Sequence, residues 1–208
     1  MVKQGSAKDR MLDIAERAVL TKGFGATSIE EIVAEAGVTK GGFFYHFADK
    51  NALARALLDR SIAQFSARAD EMEARAQELT DDPLQVVLII LKLLAESVAA
   101  EDDFESGSLM SAIVYQERLF DREIVESMRK VVLDWEGRRL RFFERIADQY
   151  EMADDVPLES VSAMFNTVFE GAIVHARSTG RPKARSQQIL MYRSYLKLLF
   201  ARRKPEKS

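Results

Sequence analysis

Residues 27–50 read TSIEEIVAEAGVTKGGFFYHFADK and carry most of the information about the fold. Thr27 and Ser28 each stand three positions before a glutamate, which is the pattern of a helix N-cap and its capping partner. The apolar residues that follow at helical spacing supply one buried face: Ile29, Ile32, Val33 and Ala36. Gly37 then tolerates the positive φ of a sharp turn, and Thr39 can cap a second helix. The stretch therefore predicts a helix-turn-helix.

The second of these helices opens with Lys40, Gly41 and Gly42. Because glycine has no side chain, the backbone and the positive end of the helix dipole can come close to a phosphate or a base edge. Tyr45 and His46 follow and add side chains that form hydrogen bonds. We interpret this helix as a segment that projects from the surface and fits a groove of duplex DNA.

The same helix carries three phenylalanines that we expect to pack inward against aliphatic neighbours. The predicted set is Phe43, Phe44 and Phe47 against Ile29, Ile32 and Leu53. The alternative interpretation is an ordinary capped surface helix with an aromatic core face, and any one of these residues fits that alternative. The complete spaced set favours the DNA-binding interpretation.

The rest of the chain shows helical periodicity and no strand-period segment of any length. A helix over 8–22 precedes the quoted stretch, and a long helix from Lys50 to about Leu79 follows it. Further helices are predicted over 83–100, 106–118, 121–150, 157–178 and 184–202, with 121–150 forming either one helix or a broken one. The predicted fold is all-α, with an N-terminal three-helix helix-turn-helix domain over residues 1–50 and a C-terminal helical domain over residues 51–208.

The composition excludes several classes of function. No cysteine occurs among the 208 residues, which excludes disulfides, thiolate zinc sites and cysteine nucleophiles. The two histidines lie far apart and no phosphate-binding glycine loop is present, so we expect no enzymatic activity, no cofactor and no metal. The longest apolar run, Val86 to Leu91, is far shorter than the roughly 20 residues that span a bilayer. We therefore expect a cytoplasmic protein without membrane contact.

The net charge of -3 argues against a general nucleic-acid binder. DNA contact needs only a local row of positive or hydrogen-bonding groups, however, and a dimer presents that row twice. Two alternatives to a DNA-binding protein stay open from the residues: a helical protein-interaction scaffold and an enzyme built on the same fold.

Over roughly residues 8–57 the chain resembles the DNA-binding domain of the TetR family of repressors. The resemblance rests on a compound pattern: Ala-Gly-Val-Thr over 36–39, then Lys-Gly, an aromatic-rich helix ending in His-Phe, and a lysine opening the next helix. The chain departs from the family at Phe44, where tyrosine is usual, and at Gly42, where a larger residue is common. The resemblance implies that the DNA contacts are Thr27, Ser28, Thr39, Lys40, Gly41, Gly42, Tyr45, His46 and Lys50.

The resemblance also implies a homodimeric repressor that binds a palindromic operator and is released by a small, apolar effector. Large apolar side chains with a few polar tips are the candidate effector contacts: Phe104, Met110, Tyr115, Trp135, Phe142, Phe169 and His175. Two apolar stripes on the last helices are the candidate dimer contacts: Val161, Phe165, Val168, Ile189, Tyr192, Leu196 and Leu199. Ordinary core packing is the alternative for both sets.

Overall fold

The computed structural model describes residues 6–100 and 108–203. The α-helices in those ranges are α1 (Ala7–Lys22), α2 (Ile29–Ala36), α3 (Lys40–His46), α4 (Lys50–Leu79), α5 (Pro83–Ala99), α6 (Leu109–Tyr115), α7 (Arg122–Gln149), α8 (Leu158–Thr179) and α9 (Ala184–Leu199). A 3₁₀ turn (Glu117–Leu119) follows α6. The all-α fold predicted from the sequence is confirmed. Among the described residues, no helix combines the length and the apolarity needed to cross a membrane.

The chain groups into two compact units. Unit 1 comprises Met1–Phe65 and Ser106–Val131, and unit 2 comprises Ser66–Glu105 and Val132–Ser208. The division falls within α4 and within α7, so each of these helices contributes residues to both units. The functional boundary expected at residue 50 lies inside unit 1 and stays a prediction.

Local caps shape the helix-turn-helix of unit 1. The hydroxyl oxygen of Ser28 accepts a hydrogen bond from the backbone N–H of Glu31 at 3.2 Å, and that of Thr39 accepts from Gly42 at 3.0 Å. Gly37 ends α2 in the left-handed region with a φ of 65°. These contacts fix the turn between α2 and α3 as the sequence predicts.

The aromatic inner face of α3 holds this helix in the core of unit 1. Phe43 and Phe47 are buried, and their ring centroids lie 5.4 Å apart. Ile32 and Leu53 belong to the same core, as predicted. The prediction for Phe44 is wrong, because 49% of its surface is exposed. Successive residues of a helix point about 100° apart, so the neighbour of a central core residue turns away from the core.

The turn between α1 and α2 packs against residues far along the chain. The ring centroids of Phe24 and Phe120 lie 4.3 Å apart. The N–H of Gly25 donates to the side-chain oxygen of Gln116 at 3.3 Å. Gly23 has a φ of 86°, and a Cβ at this position would lie 2.5 Å from Nε2 of Gln116. Backbone conformation therefore favours glycine there, and any other residue would also have to push the flexible end of the Gln116 side chain aside.

Unit 2 packs α5, α8 and α9 around a second core. Its most buried members include Leu88, Ile146, Val161, Ile189 and Leu196. The hydroxyl of Tyr192 donates to the carbonyl oxygen of Val161 at 2.7 Å, and burial raises the pKa of this phenol. Two strands, β1 (Tyr150–Glu151) and β2 (Arg202–Arg203), pair antiparallel. The sequence does not predict them, because two residues are too short to show a strand period.

Candidate nucleic-acid interface

The outer face of α3 presents two neighbouring aromatic side chains to solvent. Tyr45 is 85% exposed and Phe44 is 49% exposed. His46 is half-buried, and its ring lies 4.9 Å from that of Tyr45 in an edge-to-face arrangement. Contiguous exposed aromatic groups mark interaction sites more often than single exposed residues do. Phe44 is a surface residue that sequence reasoning placed in the core.

The start of α3 is open to close approach. A Cβ on Gly41 would lie 3.8 Å from Oγ1 of Thr39, and one on Gly42 would lie 3.5 Å from the same atom. Both distances are ordinary van der Waals contacts, so packing within the chain does not require glycine at either position. The Thr39 oxygen caps Gly42, which leaves the hydroxyl hydrogen for an external acceptor.

Lys40, the first residue of α3, is paired with an acid of α2. Its ammonium nitrogen lies 2.7 Å from Oε1 of Glu30, and the two side chains are 60% and 66% exposed. The hydrogen bond from Lys40 holds the pKa of the Glu30 carboxyl below its usual range. The lysine predicted to contact DNA therefore carries a counter-charge supplied by the chain itself.

Lys50 is turned toward the α1–α2 turn. Its Nζ donates to the carbonyl oxygen of Phe24 at 2.6 Å and lies 4.3 Å from the centroid of the Phe24 ring. Burial lowers the pKa of this ammonium. The predicted phosphate contact would require Lys50 to leave this position.

The two residues before α2 differ in exposure. Thr27 is 2% exposed and donates its hydroxyl to the carbonyl oxygen of Gly23 at 3.0 Å. It has almost no surface with which to meet DNA in this conformation. Ser28 is exposed and caps α2.

Carboxylates on α2 also pair with cations of α1. Lys22 lies 2.5 Å from Glu31, and Arg17 lies 2.8 Å from Glu35. The hydrogen bond from Lys22 lowers the pKa of Glu31. Sequence reasoning missed these pairs because they join different helices and follow no fixed spacing.

The candidate effector residues lie in both units. In unit 1, Met110 is half-buried and Tyr115 is 77% exposed. The candidates in unit 2 are the half-buried Trp135, Phe142 and Phe169 and the exposed His175. Phe104 lies outside the described residues.

A half-buried polar network lies beside one of these candidates, Phe169. The guanidinium carbon of Arg139 lies 4.9 Å from the ring centroid of Phe165, and its Nη2 donates to Oδ1 of Asn166 at 2.8 Å. Asn166 donates in turn to Oε1 of Glu136 at 2.7 Å. The rings of Phe165 and Phe169 stack with centroids 5.8 Å apart. Burial lowers the pKa of Arg139, and no sequence pattern indicates that this arginine is enclosed.

Most of the candidate dimer residues are buried within one chain. They are Val161, Ile189, Tyr192, Leu196 and Leu199, and Phe165 and Val168 are half-buried against the same core. The five buried side chains have almost no surface to offer a second copy, whereas Phe165 and Val168 keep some. The assignment of this set to a dimer interface stays a prediction. The exposed large apolar residues on α8 and α9 are Met164, Val174, Leu190, Met191 and Leu198.

Comparison with known proteins bears on the helix-turn-helix directly. Residues 11–57 match the family model of bacterial regulatory proteins, tetR family. The chain is therefore similar to this family over its helix-turn-helix. It is 31% identical over 117 residues to the HTH-type transcriptional regulator AcrR of Shigella flexneri, which covers 56% of this chain and 52% of AcrR. The chain thus spans about half the length of that relative.

Two longer matches extend beyond residues 11–57. The transcriptional regulator AcuR of Cereibacter sphaeroides is 24% identical over 163 residues, covering 77% of this chain and 72% of AcuR. The crystal structure of a regulatory protein TetR from Rhodobacter sphaeroides superposes with a TM-score of 0.76 at 20% identity and covers 92% of this chain and 99% of that one. The structural likeness shows that the two chains share the fold.

Proposed function

We propose that this chain is a TetR-family DNA-binding transcriptional regulator that acts as a repressor. The observation that carries the proposal is the exposed aromatic pair Phe44 and Tyr45 on a helix whose opposite face is fixed in the core by Phe43 and Phe47. A helix anchored in this way can enter a major groove without losing its shape. AcrR and AcuR, which are named as transcriptional regulators, support the same function.

The exposed face of α3 and the helix ends beside it are the proposed contact surface. Tyr45, His46 and Lys40 meet bases or phosphates, and Phe44 offers its ring to a thymine methyl or a sugar. The glycines allow the backbone to come close, and the hydroxyls that contact phosphate are those of Ser28 and Thr39. In this scheme Thr27 acts through the turn, and Lys50 reaches DNA only after it leaves Phe24.

The proposed regulator acts as a homodimer on a palindromic operator. One helix-turn-helix has a small footprint, whereas two copies about 34–36 Å apart match successive major grooves. The exposed apolar residues on α8 and α9 supply a candidate surface for the second copy, because burial of apolar area is the main favourable term in association. This surface replaces the buried stripes expected from the sequence.

A small molecule is the proposed effector, and its proposed site lies in unit 2 beside the stacked rings of Phe165 and Phe169. Arg139 and Asn166 can orient a polar group while the rings cover an apolar body. Binding of the effector would lower the affinity for DNA by about 5- to 150-fold. This corresponds to the coupling free energy of about 1–3 kcal/mol that is typical of allostery. A thermal-shift screen of small molecules, followed by DNA titration with each hit, tests this part.

Selection of bound duplexes from a random pool by the full chain tests the DNA-binding function. We expect a palindromic consensus. We expect Tyr45→Ala to weaken its binding at least about fivefold, which is the low end of the about 1–3 kcal/mol of a base contact. Tyr115→Ala is the matched control, because Tyr115 is also an exposed tyrosine of unit 1. No enrichment of any duplex would overturn the proposal in favour of a protein-interaction scaffold.

A further inference from the structure

The ion pair between Lys40 and Glu30 puts a carboxylate on the surface that is proposed to contact DNA, which is itself a polyanion. Lys40 is the first residue of the helix proposed to enter the groove, and its ammonium already lies 2.7 Å from a carboxylate oxygen. When a phosphate approaches, this carboxylate competes for the ammonium and also repels the phosphate. We propose that Glu30 sets the DNA affinity of this chain by competing with phosphate for Lys40.

The carboxylate of Glu30 is held in its charged form by two independent features. It lies in the first turn of α2, where the positive end of the helix dipole stabilises an anion. Lys40 donates a hydrogen bond to it, and this bond keeps its pKa below the usual range. Glu30 therefore stays a full negative charge on the proposed contact surface at neutral pH.

The fold does not depend on this ion pair. Both side chains are mostly exposed, and an exposed pair contributes little to stability. The turn between α2 and α3 is already fixed by the caps at Ser28 and Thr39 and by Gly37. We therefore assign Glu30 a role in DNA affinity and not a role in holding α2 and α3 together.

Glu30→Gln is the decisive variant, because glutamine keeps the size of the side chain and removes its charge. The inference rests on the proposed DNA-binding function, so the wild-type chain is measured beside it on a selected operator and on a short duplex of mixed sequence. We expect Glu30→Gln to tighten binding to both duplexes about two- to fivefold at about 50 mM salt, the range of an exposed ion pair. The gain should shrink toward about 200 mM salt, and the slope of log affinity against log salt should steepen by up to about 1.

A matched control separates competition for Lys40 from a simple loss of negative charge. Glu35→Gln removes one exposed carboxylate from the same helix, but its partner is Arg17 on α1. We expect its effect on DNA affinity to be clearly smaller than that of Glu30→Gln. In the Lys40→Ala background, adding Glu30→Gln should raise the DNA affinity only slightly. This increase should be no larger than the one that Glu35→Gln produces in the wild type.

The outcomes are distinct. Equal effects of Glu30→Gln and Glu35→Gln, or weaker binding by Glu30→Gln, would overturn the competition and leave the DNA-binding function standing. A gain that persists in full in the Lys40→Ala background would also overturn it. If neither the wild-type chain nor any variant bound either duplex, both the proposed function and this inference would fail. Thermal unfolding of each variant checks that the fold is unchanged.

Discussion

At the scale of single residues, Lys50 joins the start of α4 to the α1–α2 turn through the carbonyl oxygen and the ring of Phe24. Removing the ammonium leaves that oxygen without a charge-assisted hydrogen bond. We expect Lys50→Ala to lower the free energy of unfolding by about 1–2 kcal/mol without DNA, as measured by urea denaturation. Lys40→Ala is the control and should change it by less than about 1 kcal/mol. Equal losses in the two variants would contradict a structural role for Lys50.

Tyr192 gives a second prediction at this scale. Its hydroxyl donates to Val161 inside the core of unit 2, and Tyr192→Phe should cost about 1 kcal/mol of unfolding free energy. Burial raises the pKa of Tyr192, so the unfolded chain releases the phenolic proton first as pH rises through the ordinary tyrosine range. Stability should therefore fall with rising alkaline pH, and less steeply in Tyr192→Phe. The half-buried Tyr195 supplies the control variant Tyr195→Phe. If the free energy of unfolding fell equally steeply with alkaline pH in the wild type and in Tyr192→Phe, the role of burial would be refuted.

At the scale of elements, the turn between α2 and α3 depends on the positive φ of Gly37. A Cβ there meets no atom within 4 Å, so the cost of Gly37→Ala is one of backbone conformation. We expect a loss of about 1–2 kcal/mol in thermal or urea unfolding. Gly137→Ala, within α7 and equally free of neighbours, should instead stabilise the protein by about 0.5–1 kcal/mol. The same sign for both substitutions would show that the turn conformation is not the cause.

The ion pairs of α2 give the helix-turn-helix a small sensitivity to acid, in keeping with their exposure. Bonds from Lys22 and Lys40 lower the pKa values of Glu31 and Glu30, so the unfolded chain takes up protons first as pH falls. Their contribution to stability is present at neutral pH and is lost as pH falls through the ordinary glutamate range toward the lowered values. Thermal midpoints measured from about pH 7 to about pH 3 should fall less steeply for Glu31→Gln than for the wild type. The exposed Glu78 on α4 provides the control Glu78→Gln, which should follow the wild-type curve.

Local signals explain why most element bounds were predictable. The caps at Ser28 and Thr39 and the glycine at 37 act over three or four residues, and the structure has each as predicted. Phe44 was misplaced because a run of aromatic residues does not reveal which of them faces the core. The bonds of Lys50 and Lys40 were missed for a different reason: their partners lie on other elements, 26 and 10 positions away in the chain.

At the scale of the whole molecule, the exposed apolar residues of α8 and α9 bear on assembly. Met191 is 62% exposed and Leu198 is 72% exposed, and a charge on either would have to be buried in an interface that covers them. We expect Met191→Glu and Leu198→Glu to shift the protein from dimer to monomer in sedimentation velocity and to weaken operator binding. Leu133→Glu on α7, where the side chain is 65% exposed, is the control. A dimer that survives both substitutions would place the interface elsewhere.

The packing of distant segments against each other was the part of the structure least predictable from the sequence. Periodicity predicted that α4 and α7 are long, and both are unbroken. It gave no sign that residues 108–131 pack with the helix-turn-helix in unit 1, because that packing depends on side chains such as Phe120 meeting Phe24 nearly a hundred positions earlier. The dimer stripes meet the same limit, since an apolar stripe looks alike whether it faces the chain's own core or a second copy.

The contacts of the α1–α2 turn with Gln116 and Phe120 restrict how this protein can be re-engineered. Transplanting a relative's first sixty or so residues would bring a foreign turn to a recipient whose Gln116 amide lies 2.5 Å from the place of a Cβ at position 23. A donor with a residue other than glycine at that position would have to displace this amide, and a donor without an aromatic ring opposite Phe120 would leave a void. A chimera of this chain and a relative should therefore exchange the 116–120 segment together with the helix-turn-helix.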